Sequence, residues 1–266
     1  MAHVGAKPVR LWSVPVAWPR VARRSRIEIV SLLGGALLWE ALGRGLRLPW
    51  LPPFSQVLAD LQLLVGSGEI LANLAASLQA LAVGFGLSLV VGLGVGLLMG
   101  RYRRVEQALD LYVNMLLVAP SMIFVPIFFA LFGLSDATRV AVIFTYTVFV
   151  IIINTTTGIR TVDPALVEMA RSFGASERKI LLRILLPGAL PLVFAGIRLG
   201  MGRAIKGMVN SEMFITFIGL GALAERYGAQ FQSSKVFAIA LLVLCVALAA
   251  NWVIQRLDDR FTNWCD

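Results

Sequence analysis

Apolar runs alternate with short polar or basic stretches along almost the whole chain, and six runs are long enough to cross a bilayer as helices: 27–43, 71–99, 105–131, 139–159, 190–214 and 236–254. The first is the shortest and carries Glu28 and Glu40 near its ends. Between the first two, residues 51–69 read as an interfacial amphipathic helix, with Leu58, Leu61 and Val65 on one side and Gln56 and Asp60 elsewhere. The pattern predicts an all-α polytopic membrane protein.

Within the second run, Ala76, Ala80, Gly84, Ser88, Gly92, Gly96 and Gly100 recur at four-residue spacing. Such a ladder lets a neighbouring backbone come close, which is where packing energy is gained in lipid. Whether that neighbour lies in this chain or a second copy stays open from the pattern alone. The third run holds Pro120 and Pro126, each expected to kink it, and the fourth ends in Asn154, Thr155, Thr156 and Thr157.

Residues 163–187 form a polar, basic interruption. Asp163 can cap a helix that starts at Pro164, Gly174 suits a left-handed stop, and Ser176 can cap a second helix. Two short amphipathic helices joined at Gly174 are expected there, lying along a membrane face.

Composition confirms the class. Of 266 residues, 58% are hydrophobic and 15% charged, too little charge for the surface of a soluble domain of this length. The net charge of +9 sits in loops between spans, so it is a topology signal and nucleic acid is not an expected partner. With the N-terminus inside, inner segments hold sixteen Lys and Arg (six, three, five and two) and outer ones five. That bias places both termini and the 163–187 loop in the cytoplasm. Residues 1–26, rich in Arg and Pro, read as a cytoplasmic leader ahead of a permease domain at 27–266. The single histidine, His3, lies in that leader, and Cys245 and Cys265 are far apart, so no catalytic residue, disulfide or metal site is expected.

The fifth run is the unusual one. Arg198, Arg203, Lys206, Asn210 and Glu212 fall inside or at the end of an otherwise apolar helix. Each charge facing lipid would cost roughly 2.5–3.5 kcal/mol, so they should face protein or water. Arg198 is close enough to the end to snorkel. Internal pairing is the favoured reading for Arg203, whereas Lys206 suits a positive lining for an anionic solute. Lys206 and Asn210 share a face, and Glu212 points elsewhere, towards another helix. Arg203, Lys206, Asn210 and Glu212 are the candidate path residues.

Glu168, Ala170, Gly174, Ile184, Leu186 and Pro187 match, in order and spacing, the EAA loop of ABC-importer permeases, with Met169 where Ala is usual. The stretches INTTTGIRTVDPALVEMARSFGAS, LPGALPLVFAGIRLGMGRA and IGLGAL resemble the nitrate, sulfonate and taurine branch, and the likeness runs from about residue 71 to the C-terminus. The resemblance implies a type I importer permease of about six transmembrane helices whose 163–187 loop docks into an ATPase. Glu168, Arg171, Arg178 and Lys179 would be its polar contacts, Val167, Ala170 and Phe173 its apolar ones, with Gly174 at the turn. It also implies that the first span is retained rather than cleaved as a signal peptide.

The chain carries no P-loop, so ATP and Mg would be bound by two separate ATP-binding subunits, with no cofactor in this chain. The other implied partners are a second permease copy in a homodimer and an extracytoplasmic solute-binding protein, all at a bacterial inner membrane. Residues 218–221 resemble the family's outer re-entrant turn. Nitrate, sulfonates, taurine and bicarbonate fit the branch; vitamin or pyrimidine precursors, riboflavin and aromatic acids are alternatives. An ion-coupled secondary transporter would need embedded relays, for which only Glu212 comes close, and inverted repeats, of which the sequence shows no clear sign. A non-transporting anchor would not need the EAA spacing.

Overall fold

The computed structural model describes residues 21–46, 48–215 and 218–262; most of the expected leader, 1–20, lies outside them. Every regular element among the described residues is helical. The chain divides into two units at Phe54.

The first unit contains α1 (Val21–Leu46), which begins inside the stretch read as a leader. Its C-terminal half folds against the turn that follows. The Trp39 indole donates to the Pro52 carbonyl at 3.1 Å and its ring lies 5.3 Å from that of Phe54. Gly43 meets the Pro53 backbone where a Cβ would come within 2.8 Å.

The second unit, from Ser55, takes in all but the first residue of α2 (Phe54–Gly66). This helix buries Val57 and Leu64, seven residues apart, and leaves Leu58 and Val65 of the expected apolar side exposed. Then come α3 (Glu69–Arg101), α4 (Arg103–Val118), α5 (Phe124–Phe132), α6 (Asp136–Arg160), α7 (Pro164–Ser172), α8 (Glu177–Ile180), α9 (Leu186–Ile215), α10 (Leu220–Ala229) and α11 (Ser233–Thr262).

Four of these, with α1, are long and apolar enough to span a membrane, while α4 and α5 together are apolar enough for a sixth span but are bent by 89° at the break between them, the shape of a broken span or a re-entrant loop. The sequence pattern predicts one kinked helix there. The chain instead turns extended at Ala119 and Pro120, because a residue before proline is driven out of the helical region. Pro126 produces no break: it sits in the first turn of α5, where its missing donor costs nothing.

Helix α6 lies at the centre. Its partner along the small-residue ladder is α3 of the same chain, in a fixed register: Gly84 meets Ile143, Gly92 meets Ile151, Gly96 meets Thr155 and Gly100 meets Ile159. The constant offset makes the two helices parallel, and a Cβ at any of these glycines would fall 2.6–2.8 Å from the facing side chain. On its other flank α6 runs antiparallel to α9, with Gly196 against Asn154, Gly200 against Ile151 and Gly207 against Tyr146. Small residues on both neighbours let three backbones approach in lipid, where van der Waals contact replaces the hydrophobic effect as the packing force. Ile143, Ile151, Ala204 and Met208 fill the seam.

Candidate functional site

Three places along this three-helix slab carry the polar chemistry: an elbow at one end, a charged face on α9, and a buried node at the other end.

The elbow is α7 with the turn after it. Asp163 accepts from Ala165 N at 2.9 Å and Pro164 opens the helix, as the sequence predicts. Gly174 has φ +74°, a left-handed stop reached cheaply only by glycine, and Ala175 N returns to Ala170 O at 3.0 Å. Ser176 is extended and its carbonyl accepts from Ile180 N at 3.0 Å, but its hydroxyl makes no cap. The second helix does not stand alone. It passes through a widened turn, Leu181–Leu185, into α9, where Leu186 N reaches back to Leu181 O. That widening lies just before Pro187, which has no N–H to offer the preceding turn.

Ala170, expected as an apolar contact for a partner, is 9% exposed and packs with Ile159, Ile180, Leu185 and Ala189. Val167 packs partly against the same cluster. Both therefore seat the elbow on the ends of α6 and α9. The outward apolar stripe is Leu166, Met169 and Phe173, the last 85% exposed, at helical spacing. Glu168, Arg171, Arg178 and Lys179 are all exposed beside it. Glu177 braces the turn, paired with Arg171 at 3.2 Å and with Arg101 at the end of α3.

On α9, Arg203 and Lys206 are both exposed, and neither makes an ion pair among the described residues. The internal pairing expected for Arg203 is thus absent there. Arg198 does more than snorkel, since it pairs with Asp258 of α11 at 2.7 Å. Asn210 shares the Lys206 side of the helix, and its amide donates to the Tyr146 hydroxyl at 3.0 Å. Beyond it, Phe214 joins Met122, Val125, Pro126 and Phe129 around an apolar cavity of about 370 Å³.

The node is built on Glu212, which is fully buried. Its Oε2 accepts from the Ser77 hydroxyl and from Gly221 N, each at 2.9 Å. Its Oε1 lies 3.6 Å from Nη1 of Arg139, which is 7% exposed and also pairs with Asp136. The turn before α10 is pinned twice more, by Leu220 N to Ser77 Oγ at 2.9 Å and by Gly219 N to Asn73 Oδ1 at 2.8 Å. Gly219, at φ +120°, has no room for a side chain: a Cβ there would lie 2.3 Å from Glu212 Cδ. Glu212 thus pairs across helices, as expected, with α3, α6 and α10 at once.

Nearby, Glu69 pairs with Arg226 and accepts from Tyr227 at 2.7 Å. Burial, together with that carboxylate, holds the Tyr227 hydroxyl above the ordinary phenol range. Sequence reasoning missed Asn73, Ser77, Arg139 and Tyr146. The four-residue spacing of Asn73 and Ser77 at the head of an apolar run was the available signal.

The family described as binding-protein-dependent transport system inner membrane component matches residues 88–263. The putative aliphatic sulfonates transport permease protein SsuC of Bacillus subtilis is 30% identical over 230 residues, covering 85% of this chain and 83% of that protein. The formylaminopyrimidine transport permease protein ThiX of Halalkalibacterium halodurans is 29% identical over 232 residues, covering 86% and 91%. An inward-facing structure of the MetNI methionine ABC transporter superposes with a TM-score of 0.58 at 19% identity, covering 71% of this chain and 92% of that one, a likeness of fold. The chain belongs to the family of binding-protein-dependent transport system inner membrane components and has the type I importer fold: it is the multi-span permease subunit of an ABC importer, a transport component rather than an enzyme.

Proposed function

We propose that the chain forms, with a second copy of itself, the path for a small organic anion of the sulfonate class. The observation that carries this is the exposed pair Arg203 and Lys206 on a membrane-spanning helix, without an ion pair among the described residues. Facing lipid they would cost roughly 2.5–3.5 kcal/mol each, a cost removed where a water-filled path and an anion face them. Asn210 adds a polar group on the same side, and the apolar cavity at Phe214 suits a carbon skeleton. Similarity to the sulfonate permease supports the same class.

In this reading two ATP-binding subunits, holding ATP and Mg, dock on the elbow through Phe173, Met169, Glu168, Arg178 and Lys179. The elbow and both termini lie in the cytoplasm, and an extracytoplasmic binding protein delivers solute near the 218–221 turn. Uptake of an alkyl sulfonate by cells carrying Lys206→Ala or Arg203→Ala should fall, with the assembled complex still recovered. Unchanged uptake in both variants overturns the anion path. The similarity to a formylaminopyrimidine permease favours a second reading, a weakly charged heterocycle, for which both variants would transport normally.

A further inference from the structure

At the elbow end of the slab, Gly100, Arg101, Arg103, Glu106 and Arg160 line an open cavity of about 430 Å³. Three guanidinium groups face one carboxylate, so the lining carries an excess of positive charge. Glu106 pairs with Arg160, and Arg101 pairs with Glu177 and lies 5.5 Å above the Tyr102 ring. Arg103 makes no ion pair among the described residues.

The cavity's level in the membrane follows from helix length. Helix α3 has 33 residues, about 50 Å, and so outruns a hydrocarbon core of about 30 Å. It ends beside α6, with Gly100 against Ile159, so the arginines emerge where headgroups lie. Tyr102, half exposed, sits at the same level, as interfacial aromatic residues do. From there α4 presents Leu111, Tyr112 and Met115, each more than 60% exposed, as an apolar track leading away from the cavity.

We infer that this cavity holds the phosphate of an acidic phospholipid, with the acyl chains laid along α4. Basic pockets between transmembrane helices at the headgroup level take anionic lipid in this way, and a guanidinium binds phosphate through paired donors. The bound phosphate would compete with Glu106 for Arg160 and with Glu177 for Arg101, which ties lipid composition to the brace of the elbow. The inference needs only the spanning architecture and is independent of the transported solute.

The test uses the full chain in phosphatidylcholine nanodiscs doped with phosphatidylglycerol, reading retained lipid by native mass spectrometry. Arg103→Gln and Arg160→Gln should each lower phosphatidylglycerol retention about fivefold. Glu106→Gln should raise it, whereas Asp110→Asn, the same charge change on α4 outside the cavity, should not. Equal gains in those two variants would mean diffuse surface attraction and overturn the site. Retention unaffected by either arginine variant would overturn it as well. Displacement of the lipid by millimolar inorganic phosphate would assign the cavity to a soluble anion and reject the lipid.

Discussion

Glu212 and Gly221 are joined by a 2.9 Å hydrogen bond from the glycine N–H to the carboxylate, at a fully buried site. That bond holds the turn before α10 on the slab, and it leaves no space at the glycine. A Cβ at residue 221 would lie 2.4 Å from the Val209 carbonyl and 2.8 Å from Glu212 Cβ. Gly221→Ala should therefore destabilise the permease by about 1–3 kcal/mol, as overpacking does. Gly228→Ala, with nothing closer than 4.0 Å, should be neutral. Thermal unfolding of the two variants in detergent compares them directly.

The carboxylate itself separates two roles. Glu212→Gln keeps an oxygen for Ser77 and Gly221, while Glu212→Ala strips both donors of this acceptor and leaves Arg139 paired with Asp136 but without its buried carboxylate neighbour. A buried donor left unsatisfied costs about 1–3 kcal/mol, so the alanine variant should lose more stability than the glutamine one. Equal loss in the two would show that charge, not hydrogen bonding, anchors the node.

The ladder makes a residue-by-residue forecast. At Gly96 a Cβ would sit 2.6 Å from that of Thr155, while at Gly94 it would meet nothing within 4 Å. Gly96→Ala should lower the unfolding midpoint and Gly94→Ala should not, although the two positions are two residues apart on one helix. A matched fall at both would mean that helix propensity, not close approach, is being measured.

Docking by the elbow predicts a split between fold and coupling. Phe173→Asp alters a side chain that packs on nothing buried, so the permease should fold while association with its ATPase weakens by about 2 kcal/mol, near thirtyfold. Arg178→Glu combined with Glu168→Lys should uncouple ATP hydrolysis from uptake. Ala170→Leu, in contrast, should destabilise the permease itself, because Ala170 is buried against Ile180 and Leu185. ATPase copurification and stability, measured on the same preparations, separate these outcomes.

Much of this architecture was legible because lipid imposes simple rules. Span length, the ladder on α3, the Asp163–Pro164 start and the Gly174 stop are local signals with one physical reading each. The break between α4 and α5 was half legible: both prolines are visible, but which one interrupts depends on its place in a helical turn. That Ala170 turns inward, with Val167 partly so, was not legible, because amphipathic spacing tells which residues share a face, not which face the rest of the protein covers. The partners of Glu212 in the node escaped notice for another reason. Ser77, Arg139 and Glu212 are separated by scores of residues, and Arg139 in a linear reading is only a charge in a loop.

The fixed register of α3, α6 and α9 also constrains how motion can travel. Glycines on α3 and α9 that meet α6 side chains at repeated positions leave little slack for one helix to slide on another without collision. Helix α6 alone is about 37 Å long, with the elbow seated at its foot and Arg139 near its head. A tilt imposed at the foot must therefore arrive at the head as a tilt, with the three rods behaving as one stiff oar and the hinge lying outside them.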